Sequence, residues 1–96
     1  MTITLTKRAV NTLQSIRAHI HNTWGEKAAV VFEEKTFHFF DLLEEFPEIG
    51  TVEMPDKQIR GFQLTKQTKV FYRVKGFKII ILTFFDVRQS PRKIPR

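Results

Sequence analysis

Residues 69–85 read KVFYRVKGFKIIILTFF, and this stretch decides the fold. From 69 to 74 the side chains alternate in character. The two valines and Tyr72 fall on one face, and Phe71 and Arg73 fall on the other. This period of two predicts a half-buried β-strand, because successive side chains of a strand point to opposite faces.

Two further strands are predicted around this one. Lys75-Gly76 predicts a tight hairpin loop, since glycine readily adopts the positive φ that such loops need. Residues 77–85 are apolar on both faces, which is typical of a central strand that is covered on at least one side. Residues 58–64 alternate as well, and the polar residues 65–68 separate them from the next strand as a turn. The second half of the chain is therefore predicted to be a three-stranded antiparallel meander.

Two helices are predicted upstream of the meander. Thr6 can cap the first helix, and Gly25 ends it, as glycine commonly does just past a helix. The second helix begins near Glu26 and ends at Phe46-Pro47, because Pro47 cannot continue a hydrogen-bonded helix. The apolar residues that recur at helical spacing are Ala9, Val10, Leu13, Ile16, Ile20 and Trp24 in the first helix, and Ala29, Phe32, Phe39, Phe40 and Leu43 in the second.

The remaining segments complete the predicted architecture. Residues 2–5 alternate and predict a short strand that pairs with the edge of the sheet, whereas residues 47–57 have the composition of turns. Helices grouped in sequence and followed by strands indicate an α+β fold. We expect one domain, residues 1–96, in which an N-terminal short strand and a helical hairpin pack on a small antiparallel sheet.

Composition and charge restrict the function. The 96 residues include no cysteine, which excludes disulfides and thiol chemistry. The sequence shows no apolar run long enough to span a membrane and no secretory signal, so a cytoplasmic location is expected. Residues 1–48 carry 5 Lys/Arg and 7 Asp/Glu, whereas residues 49–96 carry 11 and 3, a balance of +8. This asymmetry predicts a polyanionic or acidic partner: nucleic acid, an anionic membrane or an acidic protein. A basic face without a special partner remains the simpler interpretation.

The basic residues of the second half are the main candidate site. Several of them can converge on one surface of the sheet, where they could bind phosphates or stabilise charge on a phosphodiester. Tyr72 could stack on a base or act as an acid, although a core tyrosine whose hydroxyl reaches the surface is the simpler interpretation. The candidate cations are Arg60, Lys66, Lys69, Arg73, Lys75, Lys78, Arg88, Arg92 and Lys93.

The histidines, the acidic cluster and the phenylalanines are weaker candidates for a functional site. His19 and His21 point in different directions on one helix, and His38 has no obvious second ligand, so neither a metal site nor another cofactor is expected. Glu44, Glu45 and Glu48 could include a general base, but a solvated helix end is the simpler interpretation. The ten phenylalanines exceed what a thin core hides, so we expect some of them to face a partner.

The order and spacing of several short segments resemble the RelE/ParE toxin superfamily, the toxins of type II toxin–antitoxin modules. The resemblance spans nearly the whole chain, and its fold agrees with the one predicted above. It rests on Leu5–Ala9, Trp24-Gly25, Leu42–Gly50, Ile59–Phe62, Val70–Val74, Ile79–Leu82 and Phe85–Pro91.

The resemblance implies one of two activities. RelE-like members cut mRNA on the ribosome, and in that case Arg88 stands where a catalytic arginine is common. ParE-like members instead poison DNA gyrase. Arg60 matches a family arginine that can be structural. The chain lacks the paired lysines of the nucleases around Gln63, has Ile94 in place of a catalytic tyrosine, and has no histidine in its second half. These differences favour a ParE-like toxin, or a toxin with a target not yet assigned, with a RelE-like endoribonuclease as the alternative.

Both activities imply a cognate antitoxin that binds the toxin in a hetero-oligomer. Neither activity implies a membrane as a partner. The binding segment of the antitoxin should be acidic and amphipathic, to match the basic half and the surplus phenylalanines. A nucleic-acid-binding module that cuts nothing is a third hypothesis, but only Phe71 and Tyr72 supply stacking side chains for it.

Overall fold

The computed structural model describes residues 1–88 of the chain. Its elements are β1 (Thr2–Leu5), α1 (Lys7–Trp24), α2 (Glu26–Glu45), β2 (Thr51–Met54), a 3₁₀ turn (Pro55–Lys57), β3 (Ile59–Gln63), β4 (Thr68–Lys75) and β5 (Lys78–Asp86). The five strands form one sheet in the order β1-β5-β4-β3-β2. Neither helix of this part of the chain is long and apolar enough to cross a bilayer.

The helix boundaries confirm the predicted capping. The Thr6 hydroxyl accepts the Ala9 N–H at 3.0 Å, which satisfies one of the free donors at the start of α1. Gly25 has a φ of 95° and separates the helices, so a residue with a Cβ would be strained there. Two of the apolar residues that recur at helical spacing in α1 are exposed, because Val10 is 38% exposed and Trp24 is 55% exposed.

The α+β architecture and the meander are confirmed, with two corrections. β2 lies in the segment that was predicted to be turns. Its residues are exposed or half-buried and its pairing with β3 shifts register after Val52, so no alternation marks it in the sequence. The sheet is also mixed rather than antiparallel, because β1 runs parallel to β5. The sequence does not define that direction, since no hairpin turn joins these two strands.

The core lies between the helices and one face of the sheet. Phe39 of α2 stacks on Phe62 of β3 with ring centroids 4.5 Å apart, and it meets the Tyr72 ring edge-on at 6.2 Å. α1 is fixed to β5 just past its bulge at Leu82, because the Thr12 hydroxyl accepts the Phe84 N–H at 3.0 Å. Within residues 1–88 the opposite face of the sheet carries no helix, and the candidate site lies there.

Candidate target and partner interface

The open face of the sheet collects part of the basic set. Along β4, Val70 and Tyr72 are buried under the helices, whereas Lys69, Phe71 and Arg73 alternate with them and point to the open side. This confirms the predicted assignment of side chains to the two faces. The β4 and β5 ends continue the basic row, because Lys75 and Lys78 pair on the open side.

A shallow groove of about 490 Å³ runs across this open face. Phe71, Leu82 and Phe85 supply apolar lining. Lys69 lies at its rim, where its ammonium binds the Glu53 carboxylate at 2.9 Å and lies 5.5 Å from the centroid of the Phe71 ring. The groove therefore combines an apolar floor with a charged edge, which is the composition of many protein-binding surfaces.

Arg73 holds an unused hydrogen-bond donor on the same face. Its Nε is shielded from solvent and has no acceptor within residues 1–88. A buried donor without an acceptor costs about 1–3 kcal/mol. Because the Nε is shielded, a bound molecule would contact the rest of the guanidinium, and Arg73 places that positive charge, half-buried, on the open face.

Tyr72 and Arg60 lie on the other face and are structural. The Tyr72 hydroxyl is buried, donates to the Pro47 carbonyl at 2.9 Å and accepts the Gly50 N–H at 2.8 Å. Arg60 donates to the Gly50 carbonyl at 2.8 Å and to the Glu48 carbonyl at 3.3 Å. Both side chains therefore hold the loop that leads from α2 into β2. The core position predicted for Tyr72 is confirmed, but its hydroxyl is buried rather than at the surface. Its ring is therefore not available for stacking on a base.

Burial is the largest influence on the Tyr72 phenol. It raises the pKa of Tyr72 above the usual value near 10, although the Gly50 N–H and the Arg60 charge partly oppose this. A phenol with a raised pKa stays neutral at physiological pH, where it can hold both of its hydrogen bonds.

Arg88 does not extend freely into solvent after the last strand. Its Nε and Nη2 bind the two Asp86 carboxylate oxygens at 2.9 and 2.6 Å, and its Cζ lies 5.1 Å from the centroid of the Trp24 ring. The Thr68 hydroxyl donates to the same carboxylate. Burial raises the pKa of Asp86, but the bonds from Arg88 and Thr68 outweigh it, so the pKa of Asp86 lies below its usual range.

The family model for the ParE toxin of the type II toxin–antitoxin system parDE matches residues 3–91. The chain belongs to the ParE toxin family. Its fold is similar to that of a chain of the chromosomal ParDE system from P. aeruginosa, with a TM-score of 0.74, 23% identity, and coverage of 90% of this chain and 95% of that one. It is also similar to the YoeB/ParE toxin from Agrobacterium tumefaciens, with a TM-score of 0.62, 14% identity, and coverage of 90% and 98%. At these identities the likeness shows the fold alone. No curated protein sequence matches the chain.

Membership of the ParE family makes the chain a toxin of a type II toxin–antitoxin system and confirms the resemblance. The predicted site residues do not form one cluster. Lys69, Arg73 and Lys78 share the open face, and Lys66 lies exposed in the turn between β3 and β4. Arg60 and Arg88 are held by internal partners, as described above. Arg92 and Lys93 lie outside the described residues.

Sequence reasoning missed several residues of the groove. Arg8 lies next to the start of α1, and Glu53 belongs to the unpredicted β2, so neither shares a segment with the basic residues of the sheet. Phe85 was assigned to a strand that is apolar on both faces, where periodicity cannot say which side is open. The alternation of Lys69, Phe71 and Arg73 was the signal that did locate the face. Within residues 1–88 no three His, Cys, Asp or Glu side chains are placed to hold a metal.

Proposed function

We propose that this ParE-family toxin inhibits growth by binding DNA gyrase through the open face of its sheet. The observation that carries the proposal is the character of that face. It presents cations and aromatic rings that no helix within residues 1–88 covers, and Glu53, the acidic residue of its groove, is bound to Lys69. Tyr72 is buried on the opposite face, and Arg88 is paired with Asp86. Such a surface is suited to binding rather than to breaking a phosphodiester bond.

The proposal includes neutralisation by a cognate antitoxin. An acidic, amphipathic segment would place apolar side chains on Phe71 and Phe85 and carboxylates near Lys69 and Arg73. The positive charge of Arg73 on the open face supports a carboxylate at that point, because charge-assisted hydrogen bonds to a guanidinium are stronger than neutral ones. The antitoxin and the target would then compete for one surface.

The test is induced expression in a bacterial host, with mRNA mapped by primer extension, beside a supercoiling assay with purified bacterial gyrase. We expect growth arrest, intact mRNA and lost supercoiling. Lys69→Met should weaken the inhibition of gyrase about tenfold or more, since hydrogen bonds to charged groups contribute about 1.5–3 kcal/mol. Lys27→Met is the matched control, because Lys27 is an exposed lysine on α2, away from the open face. Cuts linked to codon positions with normal supercoiling would instead support the RelE-like endoribonuclease.

A further inference from the structure

Six apolar residues converge at the end of the molecule where α2 and the β4–β5 hairpin finish. Two adjoining shallow grooves share Val74. One of them also contains Met1, Phe46 and Ile49, and the other contains Val52. Phe77 extends this surface, because the Thr2 N–H next to Met1 donates to the Phe77 carbonyl at 3.0 Å. We call this surface the end patch; it consists of Met1, Phe46, Ile49, Val52, Val74 and Phe77.

The end patch exposes more apolar surface than the fold requires. Phe77 is 86% exposed and Phe46 is 55% exposed. A large aromatic side chain offers about 150–250 Å², so these two rings alone leave roughly 250 Å² in water. The hairpin loop gives no local reason for Phe77, since its positive φ is at Gly76. Exposed apolar patches of several hundred Å² commonly mark interaction surfaces.

Opposite charges flank the end patch. Glu45 and Glu48 lie on its helix side, where they line the groove beside Phe46. Lys75 and Lys78 lie on the other side, at the open-face end of the hairpin that carries Phe77. Within residues 1–88 none of these four residues forms an ion pair.

We propose that the end patch binds a second copy of this chain and forms a two-fold symmetric dimer. A two-fold axis through the apolar centre places the acidic side of one copy over the basic side of the other, and the reverse pairing follows by symmetry. The arrangement buries Phe46 and Phe77 and pairs four charges per copy that have no ion-pair partner among residues 1–88. It is independent of the gyrase proposal, because the end patch lies outside the groove of the open face.

Sedimentation velocity of the full chain, prepared without any partner, tests the dimer between 1 and 200 μM. We expect a concentration-dependent monomer–dimer equilibrium that Phe77→Asp weakens at least tenfold. Phe37→Asp is the matched control, because Phe37 is another exposed phenylalanine, 61% exposed, on α2 outside the end patch. Far-UV circular dichroism checks that both variants are folded. A monomer at 200 μM would overturn the proposal, and so would a dimer that only Phe37→Asp weakens.

Charge exchange tests the symmetry of the dimer. Glu45→Lys and Lys75→Glu should each weaken the association several-fold, because each places like charges opposite one another. The double variant should recover most of the affinity, since it restores opposite charges across the same axis. A double variant as weak as the single variants would overturn the two-fold arrangement. Rising salt should weaken the wild-type dimer and the double variant alike.

Discussion

Replacing Tyr72 by phenylalanine removes one hydroxyl from the core and should destabilise the chain by about 2–3 kcal/mol. That hydroxyl joins β4 to the loop after α2 through the Pro47 carbonyl and the Gly50 N–H. A net hydrogen bond contributes about 0.5–1.5 kcal/mol, and a buried donor left without an acceptor costs about 1–3 kcal/mol. Gly50 is buried, so water cannot readily replace the lost acceptor. The Pro47 carbonyl is half-buried and can recover part of its hydration.

Urea unfolding followed by far-UV circular dichroism measures this change. For a domain of this size, 1 kcal/mol corresponds to about 4–8 °C, so the midpoint of thermal unfolding should fall by roughly 10–20 °C. Thr51→Val is the matched control. It also removes one hydroxyl, but from an exposed residue of β2 whose side chain makes no hydrogen bond to residues 1–88, and it should change the free energy of unfolding by less than about 0.5 kcal/mol. A loss below about 0.5 kcal/mol in Tyr72→Phe would refute the structural role of the hydroxyl. A variant that loses toxicity at unchanged stability would indicate that Tyr72 belongs to the functional site.

The same variant tests how the contribution of Tyr72 to the free energy of unfolding depends on pH. Burial raises the pKa of Tyr72 in the folded state above its value near 10 in the unfolded chain. The stabilisation by the neutral phenol is therefore fully present below pH 10 and is lost as the pH rises towards the folded-state pKa. The difference in unfolding free energy between wild type and Tyr72→Phe should shrink between pH 9 and pH 11. A constant difference would contradict the raised pKa.

Three further changes test other parts of the structure. Asp86→Asn should cost about 2–4 kcal/mol at pH 7, because it removes a buried, paired carboxylate. Since the pKa of Asp86 is lowered in the folded state, that cost should diminish as the pH falls below about 4 in urea titrations. Gly50→Ala should destabilise by about 2 kcal/mol or more, because its Cβ would lie 2.8 Å from the buried Tyr72 ring and 2.9 Å from the Gly61 carbonyl oxygen. Gly61→Ala should cost less in the same thermal melts, because its closest neighbours are flexible side chains. Arg73→Met should leave the free energy of unfolding unchanged or raise it, yet weaken growth inhibition upon induced expression.

Most of the fold could be predicted because local chemistry marks it. Thr6 and Gly25 define the ends of α1 through a side-chain cap and a positive φ, and both signals depend only on neighbours in sequence. The β4–β5 hairpin likewise follows from alternation and from Gly76. β2 could not be predicted, because an exposed edge strand with a register shift has no buried face to produce a period of two.

The site was harder to predict, since a cation's role depends on its tertiary partners. Arg60 and Arg73 lie on the neighbouring strands β3 and β4. In the sequence nothing distinguishes these two arginines. The structure bonds Arg60 to the carbonyls of Glu48 and Gly50 and leaves the Nε of Arg73 without an acceptor. Those carbonyls belong to a loop at least ten residues away, whose path no local pattern fixes. Charge counting therefore found the basic half of the chain but could not separate its structural cations from its free ones.

The separation of the internally bonded arginines from the lysines and arginines of the open face also helps to choose between a toxin that binds its target and one that cuts RNA. A nuclease needs its acid, its base and its charge-stabilising group around one reacting phosphate, within hydrogen-bond reach. In this chain Arg88 is bound to Asp86 beside Trp24, and Tyr72 holds a loop on the face under the helices. Bringing either side chain to Lys69 on the open face would break its internal bonds. A binding surface has no such requirement, since cations and rings spread along a groove can each contact a different part of one partner. The geometry therefore favours a binding role over the nuclease alternative.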